Sequence, residues 1–196
     1  MMLFSSISAV ILATLSIGAL GAPLGVHVKR QTTACFTPGK TALPAEVASG
    51  IPALVESVKC TTGTSVTGVP DVSSGGIDFK TIDFQKSTKS PLGFALQTFA
   101  TPTDPATANL ATLQNQLNDY LAVEAGVRSN GGGSILNSVK SVKFFLQFQI
   151  ARVKTAQGAK LAVADTVEHQ LGKVTKNAVG ASASEIAQVN ALAKVL

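Results

Sequence analysis

Hydrophobic residues recur every three or four positions in four segments of the C-terminal half of the chain, and polar or glycine-rich stretches separate these segments. Such a spacing places the apolar side chains on one face of an α-helix. We therefore predict helices over residues 104–127, 134–157 and 160–178, and a fourth from Ser182 with a stripe that reaches Leu196. Because the connections between them are short, the pattern predicts an antiparallel four-helix arrangement.

Local signals mark where some of these helices begin and end. Glu185 follows Ser182 by three residues, which is the pattern of a capping box at a helix start. The run Gly131–Gly133 follows the first of the four helices. Glycines at that place end a helix and form a turn, so they are not expected to cradle a phosphate group.

The pattern is weaker before residue 104. Residues 41–59 carry apolar side chains at helical spacing and predict a short helix, and Ser90-Pro91 is typical of the N-cap and first position of another. The Thr-, Ser- and Gly-rich residues 61–76 have no period and predict a loop. In residues 77–84 the Ile and Phe side chains fall on both alternation phases, which fits either a bulged strand or an extended packing arm.

Together these elements predict an all-α fold. A helix bundle would occupy residues 104–196, and an N-terminal arm of short helix and extended segments, residues 31–103, would pack on it. The 196 residues are 45% hydrophobic and 14% charged, too apolar for a disordered chain and few enough to favour one domain. We therefore expect a single helical domain over residues 31–196.

The first thirty residues look like a processed leader. Residues 3–20 are apolar and uncharged, and Ala19 and Gly21 supply small residues at the −3 and −1 positions of a signal-peptidase site. We predict a signal peptide over residues 1–21 and a pro-segment over 22–30 that ends at the dibasic pair Lys29-Arg30, the kind of boundary that kexin-type proteases cut. An uncleaved membrane anchor is the alternative, since about 18 apolar residues can span a bilayer. Lys29-Arg30 favours cleavage, secretion and no stable membrane span after processing.

Cys35 and Cys60 are the two cysteines of the chain. In an oxidising compartment two thiols in one small domain are expected to be joined, so we predict a disulfide that ties the N-terminal arm. The sequence contains no Asn-x-Ser/Thr sequon. The stretch from Thr61 to Ser74 is either an unmodified loop or a carrier of O-linked sugars.

Charge and rare side chains narrow the functional classes. Sixteen Lys and Arg against eleven Asp and Glu give a net charge of +5, but the basic residues are scattered, so no nucleic-acid partner is expected. With two His and no Trp, the chain has few of the side chains that build metal and proton-transfer sites.

His169 follows Asp165 by four residues, but both lie opposite the apolar stripe of their predicted helix, as on a solvated face. We expect no enzyme, no cofactor and no metal site.

Glu124 breaks the apolar stripe of the first long helix. Its helical angle falls between those of Leu113 and Leu117, and Arg128 follows four residues later. A lone charge at such a place would cost several kcal/mol, so the spacing predicts a buried or half-buried ion pair at the helix end. The pair is either structural or a contact to a ligand or partner.

The stretch VKFFLQFQIARVK, residues 142–154, is apolar on two sides. Phe144 and Phe148 point away from the aliphatic stripe, Phe145 lies between, and Lys140 and Lys143 begin a basic band on the other flank. A helix of this kind is either buried between layers or presents its aromatic side chains to a ligand or partner. In the first case the covering side chains would be those of Phe79, Phe84, Phe94 and Phe99.

The leader, the Lys-Arg boundary and the segments GFALQTF, LNDYLAVEAGVRSNGG and KFFLQFQIARVKTAQG together resemble uncharacterised small secreted proteins of filamentous fungi, the group from which effector candidates are drawn. The resemblance implies an extracellular, non-enzymatic role at a host or cell-wall surface, and it transfers no site residue. A more distant likeness, in size and helical content only, is to fungal hydrophobic-surface-binding proteins and cell-wall lipid-binding mannoproteins.

Two hypotheses of function follow. The first is an effector-like interaction protein that binds a host or cell-surface component through a patch near the basic band. The second is an extracellular carrier that encloses a lipid or other apolar ligand among its helices, with Phe144, Phe145 and Phe148 in the lining. An enclosed apolar cavity on the order of several hundred Å³ would favour the carrier, and a filled core would favour the interaction protein.

Overall fold

The computed structural model describes residues 34–66 and 68–196. In chain order these residues form the following elements: α1 (Ala45–Ala48), α2 (Ile51–Ser57), β1 (Val58–Val66), β2 (Val69–Ser74), β3 (Ile77–Asp78), α3 (Pro91–Thr98), α4 (Leu110–Ser129), α5 (Ile135–Ala156), α6 (Val167–Lys176) and α7 (Ala183–Leu192). The predicted signal peptide and the boundary at Lys29-Arg30 lie outside the described residues and stay predictions.

All four helices predicted for the C-terminal half are present as α4 to α7. The side chain of Asn109 caps α4 by accepting from the backbone N–H of Thr112, so the predicted start at residue 104 was wrong. Asp104 caps a separate 3-10 turn, Pro105–Thr107. The turn between α4 and α5 contains Gly131–Gly133, all with positive φ between 86° and 95°, a conformation that glycine adopts without steric cost.

The last two helices are shorter than predicted. The region before α6 forms a 3-10 turn, Val163–Asp165, and Thr166 then caps α6 by accepting from the N–H of His169. The prediction of one helix over 160–178 was therefore wrong in its first turns, and Asp165 and His169 do not share a helix. At α7 the capping box of Ser182 and Glu185 is confirmed.

The fold is mostly helical but not all-α, because residues 58–78 form a small antiparallel sheet of order β1-β2-β3. The prediction of a loop over residues 61–76 was wrong. Register shifts interrupt the pairing of β1 with β2 between Cys60 and Thr64 and again before Val66. These irregularities, together with polar side chains that β2 buries, remove the alternation by which a strand is recognised in a sequence.

The segment that follows β2 forms neither a bulged strand nor an extended arm. It contains the two residues of β3 and then two 3-10 turns, Phe79–Thr81 and Phe84–Lys86. These turns bury Phe79, Ile82 and Phe84. Ser90 caps α3 by accepting from the N–H of Gly93, as the sequence predicted.

The disulfide between Cys35 and Cys60 is present, with the two Cα atoms 6.1 Å apart, which confirms the predicted pair. It joins the segment before α1 to the first strand. The N-terminal arm is also tied to the helices at Tyr120 of α4. The hydroxyl of Tyr120 donates to the carbonyl oxygen of Ile82 at 2.7 Å, and the rings of Phe79 and Phe99 pack edge-on against the Tyr120 ring.

The core is centred on α5, which packs against α3, α4 and α6. The side chains of Phe145, Leu146 and Phe148 are fully buried there. On its other side α4 packs against β2, so α4 is buried on two faces. The last helix, α7, packs mainly on α3 and α6, so a helix of the N-terminal arm takes part in the helical layer.

Within residues 34–66 and 68–196, no helix combines the length and apolar character needed to cross a bilayer. Over the same residues, no cluster of three or more His, Cys, Asp or Glu side chains could hold a metal ion.

Candidate binding groove

A groove of about 640 Å³ opens between α1–α2, α4, α5 and α6. We call it the basic groove. Its volume lies in the range of ligand pockets, about 300–1,000 Å³. The residues that line it are Glu46, Val47, Gly50, Ala53, Leu54, Ser57, Gln114, Asn118, Leu121, Glu124, Arg128, Lys140, Lys143, Phe144, Gln147 and Lys173.

Helical periodicity explains how the two long helices supply most of this lining. On α4 the positions Gln114, Asn118 and Leu121 are four and three residues apart. On α5 Lys140, Phe144 and Gln147 have the same spacing. Residues at such spacing lie on one face of a helix, so α4 and α5 each turn one mixed polar and apolar face towards the groove.

A buried ion cluster is part of the groove lining. Oε1 of Glu124 accepts from Nε and Nη2 of Arg128 at 3.0 and 2.9 Å, and Oε2 lies 2.6 Å from Nζ of Lys143. Only 2% of the Glu124 side chain is exposed, against 19% for Arg128. The predicted ion pair of Glu124 and Arg128 is thus confirmed, and Lys143 from the next helix is a second partner that the sequence did not indicate.

Lys143 is more deeply buried than Arg128, with 10% of its side chain exposed against 19%. Desolvation lowers the pKa of Lys143, and the attraction of Glu124 counteracts this only in part. Glu124 therefore stabilises the charged form of Lys143 against the effect of burial.

Phe144 lies beside the cluster, half-buried at the groove surface. The Nζ atom of Lys143 is 4.3 Å from the centroid of its ring, and that of Lys173 is 5.8 Å away. Both distances are in the range of cation–π contacts. The ring therefore holds ammonium groups from two helices over one apolar surface.

The groove carries an excess of positive charge. Four cationic side chains line it, Arg128, Lys140, Lys143 and Lys173, against the two carboxylates of Glu46 and Glu124, which leaves an excess of two. Among the described residues neither Lys140 nor Lys173 forms an ion pair. These two ammonium groups can therefore bind an external anion.

The positive surface continues along α6. A neighbouring hollow of about 540 Å³ shares Lys140 and Lys173 with the groove and adds Lys176, His169 and the carboxylate of Glu168. His169 is exposed there. Three lysines against one glutamate leave this hollow, which we call the shelf, with an excess of positive charge.

Of the seven residues predicted as a binding site, the structure brings five together in the basic groove: Glu124, Arg128, Lys140, Lys143 and Phe144. It does not place Phe145 and Phe148 there, because both are fully buried in the core. Lys173 was missed, since on α6 it lies on a face that the sequence indicates as solvated. No sequence signal indicated that this face borders α5.

The different placement of the three phenylalanines leads to a testable difference. We expect Phe148→Ala to lower the free energy of unfolding by about 3 kcal/mol, because it leaves a cavity in the core. Phe144→Ala removes a half-buried ring and should cost clearly less, leaving a folded chain with an altered groove. Urea unfolding of both variants measures the difference, and equal losses would show that Phe144 belongs to the core.

A family model described as "Domain of unknown function (DUF7143)" matches residues 37–196. The match includes every helix and strand described above and the whole basic groove. No curated protein matches the chain, and no solved structure matches it.

Proposed function

This chain belongs to the DUF7143 family, a domain of unknown function, and we propose that it is a secreted, non-enzymatic, effector-like protein that binds a host or cell-surface component in its basic groove. The observation that carries the proposal is the convergence of four cationic side chains and the Phe144 ring on one groove of about 640 Å³. An open groove with apolar and charged walls is the usual form of a recognition site.

The disulfide supports an extracellular location. Disulfides form and persist in oxidising compartments, and Cys35 and Cys60 are joined. The predicted leader that ends at Lys29-Arg30 also favours secretion to the extracellular space. Secreted material would then begin at Gln31.

The chemistry of the groove favours binding over catalysis. The carboxylate of Glu124 is engaged on both oxygens by Arg128 and Lys143, so it has no free oxygen to act as a base. His169, the one histidine in the described range, is exposed on the shelf outside the groove. General acid–base catalysis needs a titrating group within hydrogen-bond reach of the bound substrate, and the one carboxylate of the groove outside the ion cluster, Glu46, is exposed to solvent.

A carrier of an apolar ligand is the second candidate function. The observation in its favour is the apolar wall of the groove, formed by Val47, Leu54, Leu121 and Phe144. Phe145 and Phe148 are buried in the core, so such a carrier would hold its ligand in the open groove and not among the helices.

Binding to isolated cell walls and cell-surface membranes tests the proposal. The labelled secreted protein would be compared with a groove variant, Lys140→Gln/Lys173→Gln, and with a control variant, Lys160→Gln/Lys194→Gln, which removes the same charge from exposed positions outside the groove. We expect the groove variant to bind about tenfold more weakly or worse and the control variant to bind like the wild type. Unchanged binding of the groove variant, or no binding of the wild type to either preparation, would overturn the proposal.

A further inference from the structure

We infer that the basic groove takes an amphipathic organic anion, a small molecule with one acid group at one end and an apolar chain or ring at the other. This inference rests on the proposed function and adds the chemistry of the ligand. It follows from the charged and the apolar side chains that line the groove together.

The distribution of charged side chains indicates where the acid group of the ligand would bind. Arg128 and Lys143 share the one carboxylate of Glu124, so both are engaged within the protein although one positive charge of the cluster remains, and the carboxylate of Glu46 on the groove wall offsets that charge. Lys140 and Lys173 have no ion pair among the residues that the structure describes. These two lysines come from α5 and α6 and line the same groove, so the head group of the ligand would bind between them. A carboxylate or a phosphate fits the excess of two positive charges.

The apolar side chains of the groove indicate where the alkyl chain or ring of the ligand would bind. Val47 and Leu54 line the groove from α1 and α2, Leu121 from α4 and Phe144 from α5. Phe144 is in cation–π range of Lys173, so the acid group and the apolar part would meet at this ring. Burial of an alkyl chain against these side chains gains about 0.8 kcal/mol per CH₂.

The same arrangement argues against two other ligand classes. A polyanion would need a row of free cations, whereas the groove offers two free lysines and an apolar wall that a polyanion would leave uncovered. A neutral lipid would leave the two ammonium groups without a partner. Only a ligand with both features uses both parts of the groove.

Calorimetric titration of the full secreted protein with matched probes tests the inference. Laurate and dodecyl phosphate carry the same chain with two acid groups, and dodecyltrimethylammonium carries it with a cation. Acetate and inorganic phosphate supply the acid groups without the chain. We expect one molecule of laurate or dodecyl phosphate to bind, dodecyltrimethylammonium to bind about tenfold more weakly or worse, and the chainless acids to show no binding at the same concentrations. Of laurate and dodecyl phosphate, the probe that binds with the higher affinity shows whether the groove prefers a carboxylate or a phosphate.

Variants link the binding to the groove. Lys140→Gln/Lys173→Gln should weaken binding of the anionic probes about tenfold or more, and Phe144→Ala should weaken it while leaving the chain folded. The control variant Lys160→Gln/Lys194→Gln should bind like the wild type. The inference is overturned if the cationic probe binds as tightly as the anionic ones, or if the groove variants bind the anionic probes unchanged.

The outcomes separate this inference from the proposed function. Loss of cell-wall binding in the groove variant, with no preference for the anionic probes, would leave the proposed function standing and remove the inference. Loss of laurate binding in the groove variant, with cell-wall binding unchanged, would support the inference about the ligand and remove the proposed function.

Discussion

Replacing Glu124 with glutamine should lower the free energy of unfolding by about 4 kcal/mol, the cost of breaking a buried ion pair by removal of one partner. The carboxylate of Glu124 contacts both Arg128 and Lys143. Arg128 and Lys143 contact different oxygens of this carboxylate, so glutamine would turn its oxygen towards one cation and its NH₂ group, a donor, towards the other. The ammonium group of Lys143, which is 8% exposed, would then lie buried without a counter-charge.

The same variant should regain stability at alkaline pH. In the native protein burial already lowers the pKa of Lys143, and without Glu124 it should fall further. The unfolded chain then binds more protons than the folded chain between the lowered pKa of Lys143 and the ordinary lysine value of about 10.4. In the part of that window below the pKa of Lys143 in the wild type, only the folded variant has lost this proton, so there the stability of the variant relative to the wild type rises with pH.

Urea unfolding at several pH values measures both effects. Glu46→Gln is the matched control, because Glu46 lines the same groove but is exposed and makes no ion pair within the described structure. It should change the free energy of unfolding by less than about 1 kcal/mol. A comparable small change in Glu124→Gln would show that the cluster contributes little to the folded state.

Asp119 should make the protein less stable as the pH rises from about 4 to 8. Its side chain on α4 is fully buried, and within the described residues neither carboxyl oxygen has a hydrogen-bond partner. Burial, and then the negative charges of Asp71 and Asp78, raise the pKa of Asp119 to about 8. The folded chain therefore keeps this carboxyl group uncharged at neutral pH.

The direction of the effect follows from proton counting. The carboxyl group titrates near pH 3.9 in the unfolded chain, so between about pH 4 and 8 the folded chain holds a proton that the unfolded chain has released. The contribution of Asp119 is fully present below pH 4 and falls by about 1.4 kcal/mol for each pH unit above it, or about 4 kcal/mol between pH 4 and 7. Above pH 8 both states are ionised, and the slope disappears.

Asp119→Asn removes the titrating group and keeps its shape. We would subtract the free energy of unfolding of this variant from that of the wild type at each pH from 4 to 8. The difference should show the fall in stability with pH that Asp119 causes. Asp165→Asn, at an exposed position, should give a pH profile parallel to that of the wild type. Parallel profiles for Asp119→Asn and the wild type would mean that Asp119 is ionised in the folded state.

Asp119 also shows where sequence patterns stop being informative. The apolar stripe of α4 predicts one buried face, the face that meets α5. The structure buries a second face, because the hairpin of β1 and β2 packs on α4.

An added Cβ at Gly126 would lie 2.5 Å from the carbonyl oxygen of Phe36 and 2.6 Å from Val69, so glycine is required for this close approach.

Local chemistry determined the features that the sequence predicts correctly. A capping box joins residues three apart, as at Ser182 and Glu185, and an ion pair on a helix joins residues four apart, as at Glu124 and Arg128. The repeat of apolar positions determined that α4 to α7 are helices, because an amphipathic helix is recognised from a single segment. The number of cysteines and their expected compartment were enough to predict the disulfide.

Only the tertiary structure decided which helix faces meet. The β-hairpin depends on pairing between strands, and its irregular register hides the alternation in the sequence. The packing of α3, α4 and α6 around α5 decides that Phe145 and Phe148 are core residues, whereas Phe144, one residue before Phe145, reaches the groove. Lys143 acquires its partner from α4, and Lys173 joins the site from α6, through contacts between segments far apart in the chain. Such contacts depend on the relative placement of whole elements, which no pattern within one segment encodes.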